Sequence, residues 1–256
     1  MEWGIHATAP REQGGRQHPP MNRLLPILHA DEQLVAIAKP AGLLVHRSAL
    51  DAREEVFALQ LLRDQLGRHV WPVHRLDKGT SGVLLFALDA DSASLAAQAF
   101  EQGLVHKRYR ALVRGWPGAD AGSITHALAK DPELPSQGQV LLEARTDWAC
   151  LRRLEWPLQT DPRHASSRFA LLEASPQSGR RHQIRRHFKH IAHPIIGDAT
   201  HGKGPLNRAV AAHLSLQRLW LHALTLELPH PITGRLLRIE APLGPEWGRL
   251  QPNCTA

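Results

Sequence analysis

The chain has 256 residues, 43% of them hydrophobic and 21% charged, and a formal net charge of +7; this is enough apolar material for a real core, and the basic balance suits a polyanionic partner. Two cysteines, Cys150 and Cys254, stand far apart with no Cys-x-x-Cys spacing, which excludes a disulfide framework and a cysteine zinc site and fits a reducing cytoplasm. No window approaches the 18 apolar residues of a membrane span.

Residues 1–22 are rich in Gly, Pro, Gln and Arg, follow no hydrophobic period and lack the apolar centre of a secretory signal. They read as a disordered extension, with Met21 as an alternative start, ahead of a single domain over 23–256. Residues 34–38 predict a short buried strand, Lys39-Pro40-Ala41-Gly42 a tight turn, and 43–46 the return. Val56, Leu59, Leu62 and Leu66 recur at helical spacing, so a helix is expected over 54–66 with Gly67 as its stop. Residues 70–73 then lead into His74-Arg75-Leu76-Asp77-Lys78-Gly79-Thr80-Ser81-Gly82. Here one carboxylate lies between two cations that favour its charged form, in a loop supple enough to hold it against a ligand. A carboxylate nucleophile needs that setting. The same loop also reads as a capped turn in which Asp77 only bonds neighbouring backbone N–H groups.

A strand follows over 83–88, then a helix capped by Asp91 or Ser92, carrying Leu95, Ala96, Ala99 and Phe100 and closed by Gly103. In the strand over 105–113, Lys107, Tyr109, Ala111 and Val113 share one face, and His106, Arg108, Arg110 and Arg114 the other, which is expected to be wet and cationic. Residues 116–138 show no period and read as a surface excursion. Strands resume around 144–154 and 169–174. From 178 to 193 there are five Lys or Arg, four His and no acid. Within that block a helix is expected, with Ile184, Phe188 and Ile191 as its apolar stripe and Arg181, Arg185 and Lys189 as a cationic one. A loop over 197–205, an apolar run over 219–228 and a short strand over 236–239 complete the chain. Many strands and few helices, out of strict alternation, predict an α+β fold with a mixed, mostly antiparallel sheet and flanking helices.

The loop His74-Arg75-Leu76-Asp77-x-x-Thr80-Ser81-Gly82 resembles the signature of the RluA-like pseudouridine synthases. Three more segments resemble that family in the expected order: Lys39-Pro40-Ala41-Gly42 with His46; Lys107-Arg108-Tyr109 with Gly115; and Gly179-Arg180-x-His182-Gln183-Ile184-Arg185-x-His187 leading to His193-Pro194-Ile195-Ile196-Gly197-Asp198. The resemblance covers about 24–242. Val45-His46-Arg47-Ser48 followed by Leu50-Asp51, Arg63-Asp64-Gln65, Gly197-Asp198 with His201-Gly202, and Leu216-Gln217-Arg218-Leu219 resemble the branch that modifies uridine 65 of tRNA. That favours tRNA over ribosomal RNA as substrate.

The resemblance implies the family's catalytic fold with a central RNA-binding cleft, and isomerisation of a uridine already in RNA, without cofactor, metal, membrane or obligate protein partner. It makes Asp77 the essential carboxylate, places Tyr109 against the base, and assigns Arg185 to pair with Asp77 and help expel the base. His74, Arg75, Leu76, Ile184 and Leu221 are expected to shape the pocket, the first two holding the loop and the last two excluding water. Lys107, Arg108, Arg110, Arg180, Arg181, Arg186 and Lys189 are the expected phosphate contacts. Two other readings compete. A metal hydrolase would use His182, His187, His190 and His193, but their spacing has no His-Glu-x-x-His pattern. A non-catalytic RNA-binding protein with the same basic cleft would tolerate loss of Asp77.

Overall fold

A computed structural model describes residues 24–46, 54–135 and 137–250. The expected extension, Met21, and Arg47, Ser48, Leu50 and Asp51 of the resemblance lie outside the described residues. In chain order the first elements are β1 (Ile27–Ala30), β2 (Leu34–Lys39), α1 (Ala58–Leu66), β3 (Trp71–Pro72), β4 (Ser81–Ala87), α2 (Ala90–Glu101) and β5 (His106–Arg114). Then come β6 (Ala121–Ile124), β7 (Leu128–Ala129), β8 (Leu141–Leu142), β9 (Thr146–Trp156) and β10 (Ser167–Pro176). The chain continues through α3 (Gln183–His190), α4 (Gly204–His213), β11 (Leu221–Pro229), β12 (Leu236–Glu240) and a 3₁₀ turn, Pro245–Leu250.

Ten strands make one sheet, ordered β1-β2-β4-β11-β5-β10-β9-β6, with β12 on β11 and β3 on β4. Every pairing in it is antiparallel except β4 with β11, which is the mixed, mostly antiparallel sheet expected. The β4 to β11 approach depends on Gly82, where φ is +114° and an added Cβ would stand 2.1 Å from the Ala223 carbonyl oxygen. Only glycine fits there.

Strand alternation sorts the core onto the two faces. On one face Val35, Ile37, Leu84 and Phe86 pack with Leu62 of α1, and Ala111, Val113 and Leu172 pack with Ile184 and Phe188 of α3. Leu34, Ala36, Val83 and Leu85 pack with Ala99 of α2, while Leu112 and Phe169 pack with Val210 of α4 and with Trp156, Trp220 and Trp247. Tyr109 touches both the α1 and the α3 clusters, so it sits where the two halves of that layer meet.

Several local expectations shift. The first helix begins at Ala58 rather than 54, because residues 54–56 take no regular structure and Phe57, in extended backbone, forms a bridge with Leu44. The cap of α2 is Asp89, not Asp91 or Ser92: its carboxylate accepts from Ser92 N at 2.7 Å and Ser92 Oγ at 2.7 Å. The loop expected over 197–205 ends early, since Gly204-Pro205 opens α4, where proline is tolerated in the first turn. The excursion over 116–138 contains β6, which extends the sheet, and β7, which pairs with β8.

Candidate active site

The Asp77 loop is bolted down by the turn after β2. Gly42 N donates to the Lys78 carbonyl at 2.8 Å, and Thr80 N donates to the Asp77 carbonyl at 3.0 Å. Lys39, 1% exposed, donates its three ammonium hydrogens to the carbonyls of Leu43 at 2.7 Å, Pro40 at 2.9 Å and Lys78 at 3.2 Å. Burial pushes this ammonium down to about 7, partly opposed by the Asp77 charge. Sequence reasoning placed Lys39 in a turn but missed this tie. His74 stacks on Phe100 and accepts from Leu85 N at 3.1 Å. Burial, with Lys107 nearby, pushes its imidazole down to about 4.

Asp77 and Arg185, 108 positions apart, meet: Nη1 of the arginine donates to Oδ2 of the carboxylate at 2.8 Å. The α3 helix carries Arg185 inward rather than along a solvent stripe, leaving its side chain 9% exposed. The expected cationic stripe is therefore broken: Lys189 is exposed, Arg181 is half-buried and paired with Glu133 at 2.5 Å, and Arg185 is buried. Two further N–H groups of Arg185 go to Asp198, with Nε to Oδ2 at 2.7 Å and Nη2 to Oδ1 at 2.9 Å. Burial opposes the guanidinium charge, but the bonds and charges of Asp198 and Asp77 outweigh it and raise its pKa. The expected pairing partner Asp77 is thus one of two carboxylates that hold Arg185 in this structure.

Tyr109 faces the same cleft, its phenol pushed up by burial and by the Asp77 charge, hence held protonated. The cleft, about 620 Å³, is lined by Asp77, Tyr109, Arg185 and by His74, Arg75, Leu76, Ile184 and Leu221, all expected pocket residues. His182, in the left-handed conformation at φ 53° ahead of α3, also lines it. Its Nε2 lies 3.9 Å from Asp77 Oδ1, and its Nδ1 shares a hydrogen bond with His201 Nε2 at 3.1 Å. Burial lowers both imidazoles, that of His201 to about 4.

The expected phosphate contacts divide. Lys107, Arg180 and Arg181 line the cleft. Arg108 and Arg110 lie on the opposite sheet face and share Glu173, at 3.7 and 3.3 Å, so one carboxylate offsets part of their charge and that face stays cationic. Arg186 donates to the Ala129 carbonyl at 2.8 Å and Arg180 to that of Glu143 at 3.0 Å. The Arg186 bond and the Arg181–Glu133 pair fasten the excursion to the start of α3. Lys189 is exposed outside the cleft lining. Arg75 is exposed at the cleft wall, and among the described residues its guanidinium has no partner.

The histidines of the metal reading are otherwise engaged. His187 Nε2 donates to the His126 carbonyl at 2.9 Å, His190 stacks on His126, and His193 Nδ1 bonds the Arg114 carbonyl. Among the described residues no group of three or more His, Cys, Asp or Glu is placed to hold a metal ion.

A family described as RNA pseudouridylate synthase matches residues 33–190. The chain is 43% identical over 229 residues to a Yersinia pestis protein named tRNA pseudouridine synthase C, covering 88% of each. A Haemophilus ducreyi protein of the same name is 45% identical over 230 residues, covering 88% of this chain and 94% of the relative. Among solved structures, Human RNA Pseudouridylate Synthase Domain Containing 4 aligns with a TM-score of 0.64 at 26% identity, covering 88% of this chain and 92% of the other. Human RNA Pseudouridylate Synthase Domain Containing 1 shares the fold, with a TM-score of 0.69 at 24% identity and 88% and 86% coverage.

Proposed function

The chain belongs to the RNA pseudouridylate synthase family, and from that premise we propose that it isomerises uridine 65 of tRNA to pseudouridine in the cytoplasm, with Asp77 as the reacting carboxylate and neither cofactor nor partner protein. The observation that carries the assignment is the convergence of Asp77, Tyr109 and Arg185 on one cleft from three separate parts of the chain. The tRNA substrate is supported by the names of the relatives, and position 65 by the motif resemblance.

In this reading, Asp77 Oδ1 bonds to C1′ of the ribose while the C1′–N1 bond breaks and its electron pair leaves with the uracil. The freed base turns against the Tyr109 ring, C5 bonds to C1′ as Asp77 departs with its electron pair, and the C5 proton is lost while N1 gains one. Stacking on Tyr109 holds the base between the two bond changes, and Ile184 and Leu221 keep water from the sugar. A stem uridine must be extruded at a cost of a few kcal/mol. Arg75, exposed and without a guanidinium partner among the described residues, is placed to enter the vacated stack, whereas Arg185 is held by Asp198 and Asp77. Lys107, Arg180 and Arg181 meet phosphates along the cleft.

Asp77→Asn tests the assignment. It is expected to bind tRNA as wild type does and to release no tritium from C5-labelled uridine, whereas near-wild-type turnover would remove Asp77 from the chemistry. Pseudouridine mapping in tRNA and ribosomal RNA of a deletion strain tests the substrate. Loss at a ribosomal position alone would overturn the tRNA reading.

A further inference from the structure

Arg185 serves two carboxylates, and the division is uneven. Asp198 takes the Nε and Nη2 edge of the guanidinium through both oxygens, whereas Asp77 receives only Nη1. A guanidinium given to Asp77 alone would adopt the two-bond geometry arginine favours and occupy both of its oxygens. Among the described residues no donor reaches Asp77 Oδ1, and His182 Nε2 at 3.9 Å stands beyond hydrogen-bond reach.

We propose that Asp198 is a positioning residue for the isomerisation: it restricts Arg185 to one bond with Asp77 and so leaves Oδ1 free to bond to carbon. The inference rests on the reading of Asp77 as the reacting group. Asp198 also balances charge. When Asp77 bonds to carbon, its negative charge departs with the uracil, and Arg185, 9% exposed, would be a lone buried cation without Asp198.

The segment around Asp198 is built to hold this geometry. The Asp198 side chain is fully buried; its Oδ1 also accepts from Thr200 N at 2.9 Å and His201 N at 2.8 Å. Its carbonyl accepts from Asn207 Nδ2 at 2.9 Å, and Asn207 Oδ1 accepts in turn from Gly197 N at 2.9 Å. At Gly197, φ is +79° and a Cβ would lie 1.7 Å from the Arg218 carbonyl oxygen, so the chain passes too close for any side chain.

Asp198→Asn, Arg185→Lys and the double variant test the proposal in the full-length protein with tRNA. Asp198→Asn is expected to lower kcat on the order of 10–100-fold, the range seen when a residue that orients a metal ligand is removed, with KM for tRNA within about threefold. In the Arg185→Lys background the same change is expected to cost less than about threefold more, because lysine has no fork to divide. A merely structural role would make the two losses multiply, and that result, or near-wild-type kcat in Asp198→Asn, would overturn the proposal. Wild-type protein that forms no pseudouridine in any tRNA would overturn the functional reading instead.

A readout independent of turnover is the Arg185 Nε–H resonance of nitrogen-15-labelled protein. It is expected to exchange slowly in wild type and in Asp77→Asn, since Asp198 alone holds it. Rapid exchange in either would overturn the proposal even if Asp198→Asn did not fold.

Discussion

Replacing Arg185 by alanine removes a cation that is 9% exposed and leaves the fully buried Asp198 carboxylate with only the Thr200 and His201 N–H groups as donors. Breaking a buried ion pair from one side costs about 3–5 kcal/mol, most of it the unpaired charge left behind. At about 2–4 °C per kcal/mol for a protein of this size, the melting temperature should fall by about 6–20 °C. The loss should depend on pH with a definite sign. Although burial alone would raise the Asp198 pKa, its bonds to Arg185 and His201 lower it overall, so the pair stabilises the native state above the unfolded aspartate value of about 3.9 and the contribution is lost as pH falls through the folded value. Denaturant unfolding of wild type and Arg185→Ala at pH 7 and at steps below pH 4 checks this, with the stability gap full at neutral pH and shrinking in acid. A gap below about 1 kcal/mol at pH 7, or one that does not narrow in acid, would refute the ion-pair account.

Tyr109→Phe keeps the ring and removes the hydroxyl; single-turnover kinetics should show slower isomerisation, by up to about 10²-fold if the hydroxyl moves a proton, with tRNA affinity near wild type. Arg75→Ala should leave stability within about 0.5 kcal/mol, as for an exposed side chain without partners, yet slow turnover on a stem uridine more than on the same base in a single strand. Lys107→Ala should reduce the salt dependence of tRNA binding by roughly one phosphate contact, whereas Arg110→Ala, on the far face beside Glu173, should leave that slope unchanged.

The parts of this fold that the sequence made plain are those whose signal is local. Strands β2 and β4 are continuous apolar runs, the face separation of Tyr109 from Arg108 and Arg110 follows from period two, and Gly67 and Gly103 end their helices where expected. The α4 helix was hidden because its Gly-Pro opening reads as a break and its buried residues, Leu206 and Val210, are only two. Within the site, Asp77, Tyr109 and Arg185 were found through motif order, while the direction of Arg185 was not, since helical spacing gives a stripe but not what covers it. Asp198 stood in a quoted motif without a role: its importance lies in a bond across 13 positions that no periodicity encodes. The same limit applies to the expected phosphate contacts, because Glu173, Glu133 and the Ala129 carbonyl, which bond Arg110, Arg181 and Arg186, are remote from them in sequence.

Strand β11 lies between β4 and β5, yet it is the second-to-last strand of the chain. The loop bearing Asp77 leads into β4 and Tyr109 lies on β5, so until residues 221–229 have left the ribosome the slot that sets their spacing is empty. Such a centre must assemble late, through contacts spanning more than a hundred residues, which makes for slow folding and a nascent chain with open strand edges. The enzyme is therefore silent during its own synthesis, and a product cut short before Leu221 would carry Asp77, Tyr109 and Arg185 without the strand that sets the spacing of β4 and β5.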